Sequence, residues 1–213
     1  QRCRGRPQGQ TAEHHREDRQ DQEDADPRVL FRPGIGAGAF ASTASRAQKL
    51  VIDYAVHHIK ANGRLAYGIV DTAGMLRSCI EHIVRMPTQP DAMLLTGDLV
   101  DLGRPEEYAL LQELLAPLKM PLYLVAGNHD ERTALRQAFT GPGFDNLEQT
   151  DEFLQYAEDL GPVRLLVMDT VVPLEGRGAL CEQRLRWLDR RLAEDTRPTL
   201  IALHHPPFAT GIA

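Results

Sequence analysis

Long apolar runs, cysteine pairs, aromatic residues and excess positive charge are all scarce in this sequence, and each scarcity removes a class of protein. No stretch of the 213 residues approaches the roughly 20 apolar residues that span a bilayer, and the polar N-terminus has no apolar core of a secretory signal. Cys3, Cys79 and Cys181 are odd in number, widely separated and outside any Cys-x-x-Cys spacing, so neither a disulfide framework nor a zinc ribbon is indicated. The expectation is a cytoplasmic chain without a membrane partner. A net charge of -6 argues against a nucleic-acid surface, which needs a basic patch; small anions would have to be recruited by bound cations. Large apolar side chains are missing altogether from residues 1–28, so nothing there offsets the entropy of ordering. Residues 1–48 therefore read as a disordered or non-homologous extension. Within them Pro33-Gly34-Ile35-Gly36-Ala37-Gly38 lacks the Gly-Lys-Ser/Thr ending of a phosphate loop and reads as a linker.

What remains, residues 49–213, has the composition of one globular domain in a chain that is 42% hydrophobic. Its pattern alternates strand and helix, which predicts an α/β fold with crossovers. Asp71 can cap a helix whose apolar positions Met75, Leu76, Ile80, Ile83 and Val84 recur at helical spacing before Pro87. Pro105 suits a helix first turn, with Glu106 and Glu107 near its positive end and Leu111, Leu114, Leu115 and Leu118 on a buried face. Residues 163–168 read as a strand, 182–193 as a helix packed through Leu185, Leu188 and Leu192, and 199–203 as a further strand. Trp187 reads as packing.

Chemistry concentrates where apolar runs stop. Gly97-Asp98-Leu99-Val100-Asp101, Gly127-Asn128-His129-Asp130 and His204-His205-Pro206-Pro207 each follow a short apolar run, at the strand ends where open α/β sheets keep their sites. A carboxylate such as Asp98 can bridge two divalent cations, while the amide of Asn128 and an imidazole nitrogen of His204 add neutral ligands that preserve Lewis acidity. Two cations about 3.5–4 Å apart can hold a hydroxide nucleophile and clamp phosphoryl oxygens during in-line attack. His129, beside a ligand without having to be one, can protonate the departing alkoxide. Taken singly, an Asp after a strand is usually a turn former; the linked set of blocks is what points to metal-dependent hydrolysis of phosphate esters. Asp101 reads as a structural loop acid, and Asp130 as a residue that orients its neighbours or caps the next helix. His205 reads as a supporting neighbour of His204, and Asp169, at the end of a strand, is within reach of the site but less expected there than outside it.

These blocks, with Gly63-Arg64-Leu65-Ala66-Tyr67-Gly68, Val70-Asp71-Thr72 and Gly103-Arg104-Pro105-Glu106-Glu107-Tyr108, make the chain resemble the calcineurin-like metallophosphoesterases. The bacterial branch of cyclic-nucleotide and glycerophosphodiester phosphodiesterases is the nearest in pattern. The resemblance covers roughly Ile59 to Ala213. It implies a four-layer α/β/β/α sandwich, incomplete in this chain, and two divalent metal ions of the iron, manganese or zinc type. It also implies that Asp98 bridges both metals, that Asn128 and His204 complete one site, and that His129 faces the scissile phosphate of a small phosphodiester. Alignment back from Ile59 puts His58 at the His of the family's opening Asp-x-His, but Val56 where the Asp should stand. The family's last block, Gly-His-x-His, has no counterpart before Ala213. Two readings follow: a dimetal phosphodiesterase, or a truncated or degenerate non-catalytic relative that keeps the fold and partial metal and phosphate binding. A phosphomonoesterase on the same scaffold is a third, weaker option. Self-association into a homo-oligomer is compatible with the sequence and not specified by it.

Overall fold

The computed structural model describes residues 51–54, 58–61, 64–66, 68–145, 147 and 152–208, the first four as backbone only. The expectations for residues 1–48 and for Val56 lie outside the described residues.

Two three-stranded sheets carry the fold. The first, in order β1-β2-β3, joins β1 (Val51–Tyr54), β2 (Ala92–Leu95) and β3 (Leu122–Leu124), all parallel. Ala92-Met93-Leu94-Leu95 is buried at all four positions, as a parallel strand covered on both faces should be. Its connections are helices α1 (Thr72–Val84) and α2 (Pro105–Leu115), which pack on each other. The second sheet, in order β4-β5-β6, pairs β4 (Tyr156–Asp159) antiparallel with β5 (Arg164–Val167), and β5 parallel with β6 (Thr199–Ala202). Helix α4 (Glu182–Ala193) connects β5 to β6, and the short helix α3 (Arg132–Ala138) follows β3 and packs on α2.

Helices α1, α2 and α4 begin where the sequence says they should, but Leu118, expected on the buried face of α2, lies past its end, and two helix faces differ. The Asp71 side chain accepts from the Gly74 N–H at 2.8 Å and caps α1. Leu76, Ile80 and Ile83 are buried, whereas Met75 and Val84 point outward, because a helix turning 100° per residue cannot bury all five on one stripe. Helix α4 has the predicted limits but not the predicted face: Leu185 and Leu192 are 44% and 40% exposed. The side chain it buries is Arg184, whose Nη1 donates to the carbonyls of Asp169 at 2.9 Å and Val171 at 3.2 Å. The Arg184 guanidinium also lies 4.4 Å from the Phe153 ring centre. Trp187 is half-buried, with Arg191 over its ring, in line with a packing role.

One buried cluster runs through both sheets, from Ile80 and Ile83 on α1, through Leu95, Leu111, Leu124 and Leu135, to Tyr156, Leu165 and Val167. The Tyr156 hydroxyl, donating to the Leu124 carbonyl at 2.9 Å, ties β4 to β3 inside it. The two sheets are therefore built on a common core, which holds the loops at the ends of β2, β3 and β6 in a fixed relation. Among the described residues no helix is long and apolar enough to cross a membrane.

Candidate metal centre

Four loops meet beyond the strand ends. Residues 58–61 run beside 98–101: His58 N donates to Asp98 O at 2.9 Å, Ile59 N to Leu99 O at 3.3 Å, and Asp101 N to Ile59 O at 3.2 Å. This parallel pairing places His58 beside the Asp98 loop. His58 and Asp98 both have left-handed backbones, φ 55° and 51°, which non-glycine residues adopt only when their surroundings enforce it. Gly97 (φ 101°) and Gly127 supply the close approaches. A Cβ on Gly97 would overlap the His204 imidazole, and one on Gly127 would overlap the Asp98 main-chain nitrogen. Both glycines thus let three loops touch.

The donor set converges within these loops. Asp98 Oδ1 accepts the His129 N–H at 3.0 Å and lies 3.4 Å from His204 Nε2. Burial alone would raise the Asp98 carboxyl, but the hydrogen bonds from His204 and His129 outweigh it and hold the group at about 2. His204 Nδ1 donates to the Thr96 carbonyl at 2.8 Å; a carbonyl only accepts, so Nδ1 carries a proton and Nε2 is the nitrogen turned to Asp98, donating to it when the imidazole is charged and offering a lone pair when it is neutral. Burial would lower the His204 imidazole, yet Asp98 and the Thr96 carbonyl bring its net shift upward. His129 is fixed in the same way, Nδ1 to the Asp101 carbonyl at 2.7 Å, which frees its Nε2. Its ring meets the His58 ring edge-on, with centres 4.3 Å apart. Asn128 sits half-buried between Gly127 and His129.

A supporting layer holds these groups. Asp130, buried, accepts Gly127 N–H at 2.8 Å and Leu99 N–H at 3.2 Å on Oδ2, and the Tyr108 hydroxyl at 3.0 Å on Oδ1. Burial is the main reason its carboxyl rises to about 6. Of its two expected roles it takes the first, orienting its neighbours, since the α3 cap is Glu131, which accepts from Thr133 N and Ala134 N. Glu107 accepts from Leu102 N at 2.9 Å and Arg104 N at 3.2 Å, and so shapes the turn after Asp101. His205 Nδ1 meets Thr170 Oγ1 at 2.8 Å, a supporting contact as expected. Burial and the neighbouring His204 lower its imidazole. Asp169, fully buried, is bound bidentately by Arg132 at 2.6 and 2.9 Å and also accepts from Leu154 N and Val171 N. It fastens α3 to the end of β5 and does not enter the centre.

Sequence reasoning missed Asp101 as a near neighbour of the imidazoles. Its carboxylate lies 3.7 Å from His58 Nδ1 and 3.0 Å from Lys60 Nζ. His58, Asp101 and His129 each bring a ligand-type atom within 4.8 Å of the others. Tyr108 and Thr170 were missed too; nothing in a buried helix face or a strand end announces which hydroxyl reaches a loop. The chemistry of the whole set fits divalent cations. An ionised carboxylate, a neutral amide and imidazoles are oxygen and nitrogen donors of the borderline type that such ions take.

A two-sheet α/β scaffold with carboxylate, amide and imidazole donors at three strand ends defines a metallophosphoesterase fold. Residues 67–212 match the calcineurin-like phosphoesterase family, and the chain belongs to it. It is 35% identical over 164 residues to a probable glycerophosphodiester phosphodiesterase GpdQ of Arcobacter nitrofigilis, covering 76% of this chain and 59% of the relative. It is 30% identical over 157 residues to the glycerophosphodiester phosphodiesterase GpdQ of Enterobacter lignolyticus, covering 73% and 56%. It is 30% identical over 169 residues to the 3',5'-cyclic adenosine monophosphate phosphodiesterase CpdA of Pseudomonas aeruginosa, covering 79% and 59%. The chain thus spans less than two thirds of the length of each of these relatives.

Proposed function

We propose that this chain is the metal-binding portion of a phosphodiesterase acting on a small phosphodiester, a cyclic nucleotide such as 3',5'-cAMP or a glycerophosphodiester. The observation that supports it most is the convergence of Asp98 and His204 from two sheets, 3.4 Å apart, with His204 Nδ1 committed to the Thr96 carbonyl and Nε2 turned to the carboxylate. The names of the relatives supply the substrate class. In this reading Asp98, Asn128 and His204 would hold one cation, and His58 with Asp98 the other. When bound, a pair of divalent cations lowers the pKa of water and withdraws charge from phosphoryl oxygens.

The chain's own residues do the rest. Asp98, held ionised at about 2, supplies negative charge at any working pH. Thr96, through its carbonyl, keeps His204 in the ligating tautomer. His129, with Nδ1 anchored on the Asp101 carbonyl, presents Nε2 to the substrate and, entering the step as the imidazolium, gives its Nε2 proton to the departing alkoxide and is left neutral. The compact loops leave Gly97 and Gly127 as the points where nothing larger fits.

The second reading, a binding-competent but non-catalytic relative, is favoured by Val56, which stands where the resemblance expects a carboxylate. One experiment addresses both. Manganese is titrated into the purified chain alongside a bis(p-nitrophenyl) phosphate assay, for the parent and Asp98→Ala. The phosphodiesterase reading expects chelator-sensitive hydrolysis that falls at least about a thousandfold in Asp98→Ala, since one group would serve both cations. Metal binding without hydrolysis selects the second reading, and hydrolysis that survives Asp98→Ala defeats the first.

A further inference from the structure

The carboxylate of Asp130 touches two loops at once, and a single hydroxyl fixes it there. Its Oδ2 accepts from Leu99 N, one residue past Asp98, and from Gly127 N, one residue before Asn128. Its Oδ1 accepts from the Tyr108 hydroxyl at 3.0 Å, and the same hydroxyl oxygen accepts the Glu131 N–H at 3.1 Å. Tyr108 stands on α2, far from the strand ends in sequence, with no exposed surface and its ring edge-on to Phe139 at 6.5 Å. The donor of that hydroxyl and one of its two acceptor positions are spent on residues 130 and 131.

We propose that Tyr108 is a positioning residue for the metal centre, its hydroxyl holding the Asp130 carboxylate in the rotation that sets the Asp98 and Asn128 loops at ligating separation. The proposal rests on the reading that Asp98 and Asn128 hold cations. The physical grounds are geometric. A carboxylate turns freely about its last bond unless both oxygens are held. Main-chain donors from two different loops hold Oδ2 only as long as the plane of the group is fixed. Tyr108 fixes that plane from the other side, and it comes from a helix anchored in the core by Leu111, Leu114 and Leu115. The core's rigidity is in this way handed to the centre through one O–H. Burial and the Asp130 charge push the Tyr108 phenol far above its usual value, so the donor is present at every working pH. Outer groups of this kind typically change metal affinity by about 10–100-fold when removed.

The test compares two changes on the same helix. Tyr108→Phe removes only the hydroxyl, whereas Leu111→Ala removes buried packing of similar depth without touching the loops. Manganese binding to the full chain is measured by calorimetry for the parent, both variants and Asp98→Ala, with kcat and KM for bis(p-nitrophenyl) phosphate at low and saturating manganese. The expected result is a manganese Kd raised about tenfold or more in Tyr108→Phe and unchanged in folded Leu111→Ala. Activity lost by Tyr108→Phe at low manganese should return at saturation with KM unchanged. Asp130→Asn, which changes the other end of the same bond, should raise Kd similarly, and the double variant should add little to either. This cycle also serves if Tyr108→Phe alone folds poorly. An isotherm for Tyr108→Phe that superimposes on the parent, an equal loss in Leu111→Ala, or full additivity in the double variant overturns the positioning role while leaving the metal reading intact. Manganese binding untouched by Asp98→Ala overturns the metal reading, and the proposal with it.

Discussion

Helix α2 buries Tyr108, Leu111, Leu114 and Leu115, whereas α4, in the chain's second half and of nearly the same length, buries Arg184 alone. The first sheet is held by apolar interlock, and the second holds its helix by arginines. Arg184 pins the start of α4 to the carbonyls of Asp169 and Val171. Arg164 on β5, itself buried, donates to the Arg191 carbonyl at 2.8 Å and the Asp195 carbonyl at 3.1 Å at the other end. Charge-assisted bonds of this kind fix direction well and stabilise modestly, because each guanidinium gives up water to make them. The contrast matters for the centre, since Asp98, Asn128 and His129 come from the apolar half while His204 is delivered by the arginine-held half. The residues proposed to hold its cations are therefore positioned by two kinds of force.

The largest expected effect is in the apolar half. Leu111 is fully buried, so Leu111→Ala leaves a cavity and should cost about 2–5 kcal/mol of unfolding free energy, measured by urea denaturation. A loss below about 1 kcal/mol would show that α2 is not held by interlock, and the comparison would lose its first term.

Next in size is a pH effect centred on Asp130 in the apolar half. Asp130 rises to about 6 from its unstrained value of 3.8, so its contribution to stability is fully present below 3.8 and is lost as pH climbs through 6. At about 1.4 kcal/mol per unit this amounts to roughly 3 kcal/mol. Asp98, held at about 2, acts with the opposite sign in a lower window: its contribution is present above 3.8 and lost as pH falls towards 2. The two windows do not overlap. Chelated protein should thus lose stability between pH 4 and 6, and Asp130→Asn should flatten that slope in a urea series taken at each pH. An unchanged slope in the variant would assign the effect elsewhere.

In the arginine-held half, Arg184→Met keeps the length of the side chain and removes its hydrogen bonds. It leaves two carbonyls and the Asp169 environment short of donors, at a cost of about 1–3 kcal/mol. If the loss acts through the end of β5, the Thr170–His205 contact should loosen as well, visible as a shift of the His205 imidazole resonances. No loss of stability would mean that Arg132 alone secures Asp169.

Much of this arrangement was legible beforehand, for identifiable reasons. Strands β2, β3, β5 and β6 are apolar runs that stop at glycine, aspartate or histidine, and such runs have few alternatives to a buried strand. Helix limits were legible from Asp71 and Pro105. Strand β4 was not, because Tyr-Ala-Glu-Asp offers one large apolar residue and pairs at the sheet edge through its backbone. The face of α4 was misread because helical spacing shows which residues share a stripe and not whether anything covers that stripe. In the centre, residue types and spacing proposed Asp98, Asn128, His129 and His204, and the family resemblance added His58. The structure brings Asp98, His129 and His204 into contact and His58 against His129. Their orientation was hidden, since the carbonyls of Thr96 and Asp101 that choose each tautomer carry no side-chain signal. Tyr108 was hidden for the same reason: its ring announces core, and its hydroxyl announces nothing.

The smallest expected effect sharpens the comparison most. Leu185 lies at the helical spacing that would make it a core residue, yet it is 44% exposed, while Leu111 has no exposed surface. If apolar interlock held α4 as it holds α2, Leu185→Ser would remove buried area and cost on the order of 2 kcal/mol. With Arg184 as the anchor, little buried area is lost and serine costs only its lower helix propensity, roughly 0.5 kcal/mol. Urea denaturation of Leu185→Ser beside Leu111→Ala measures the difference directly. A cost for Leu185→Ser close to that of Leu111→Ala would mean that this side chain is covered in solution, and that the two halves are held in the same way after all.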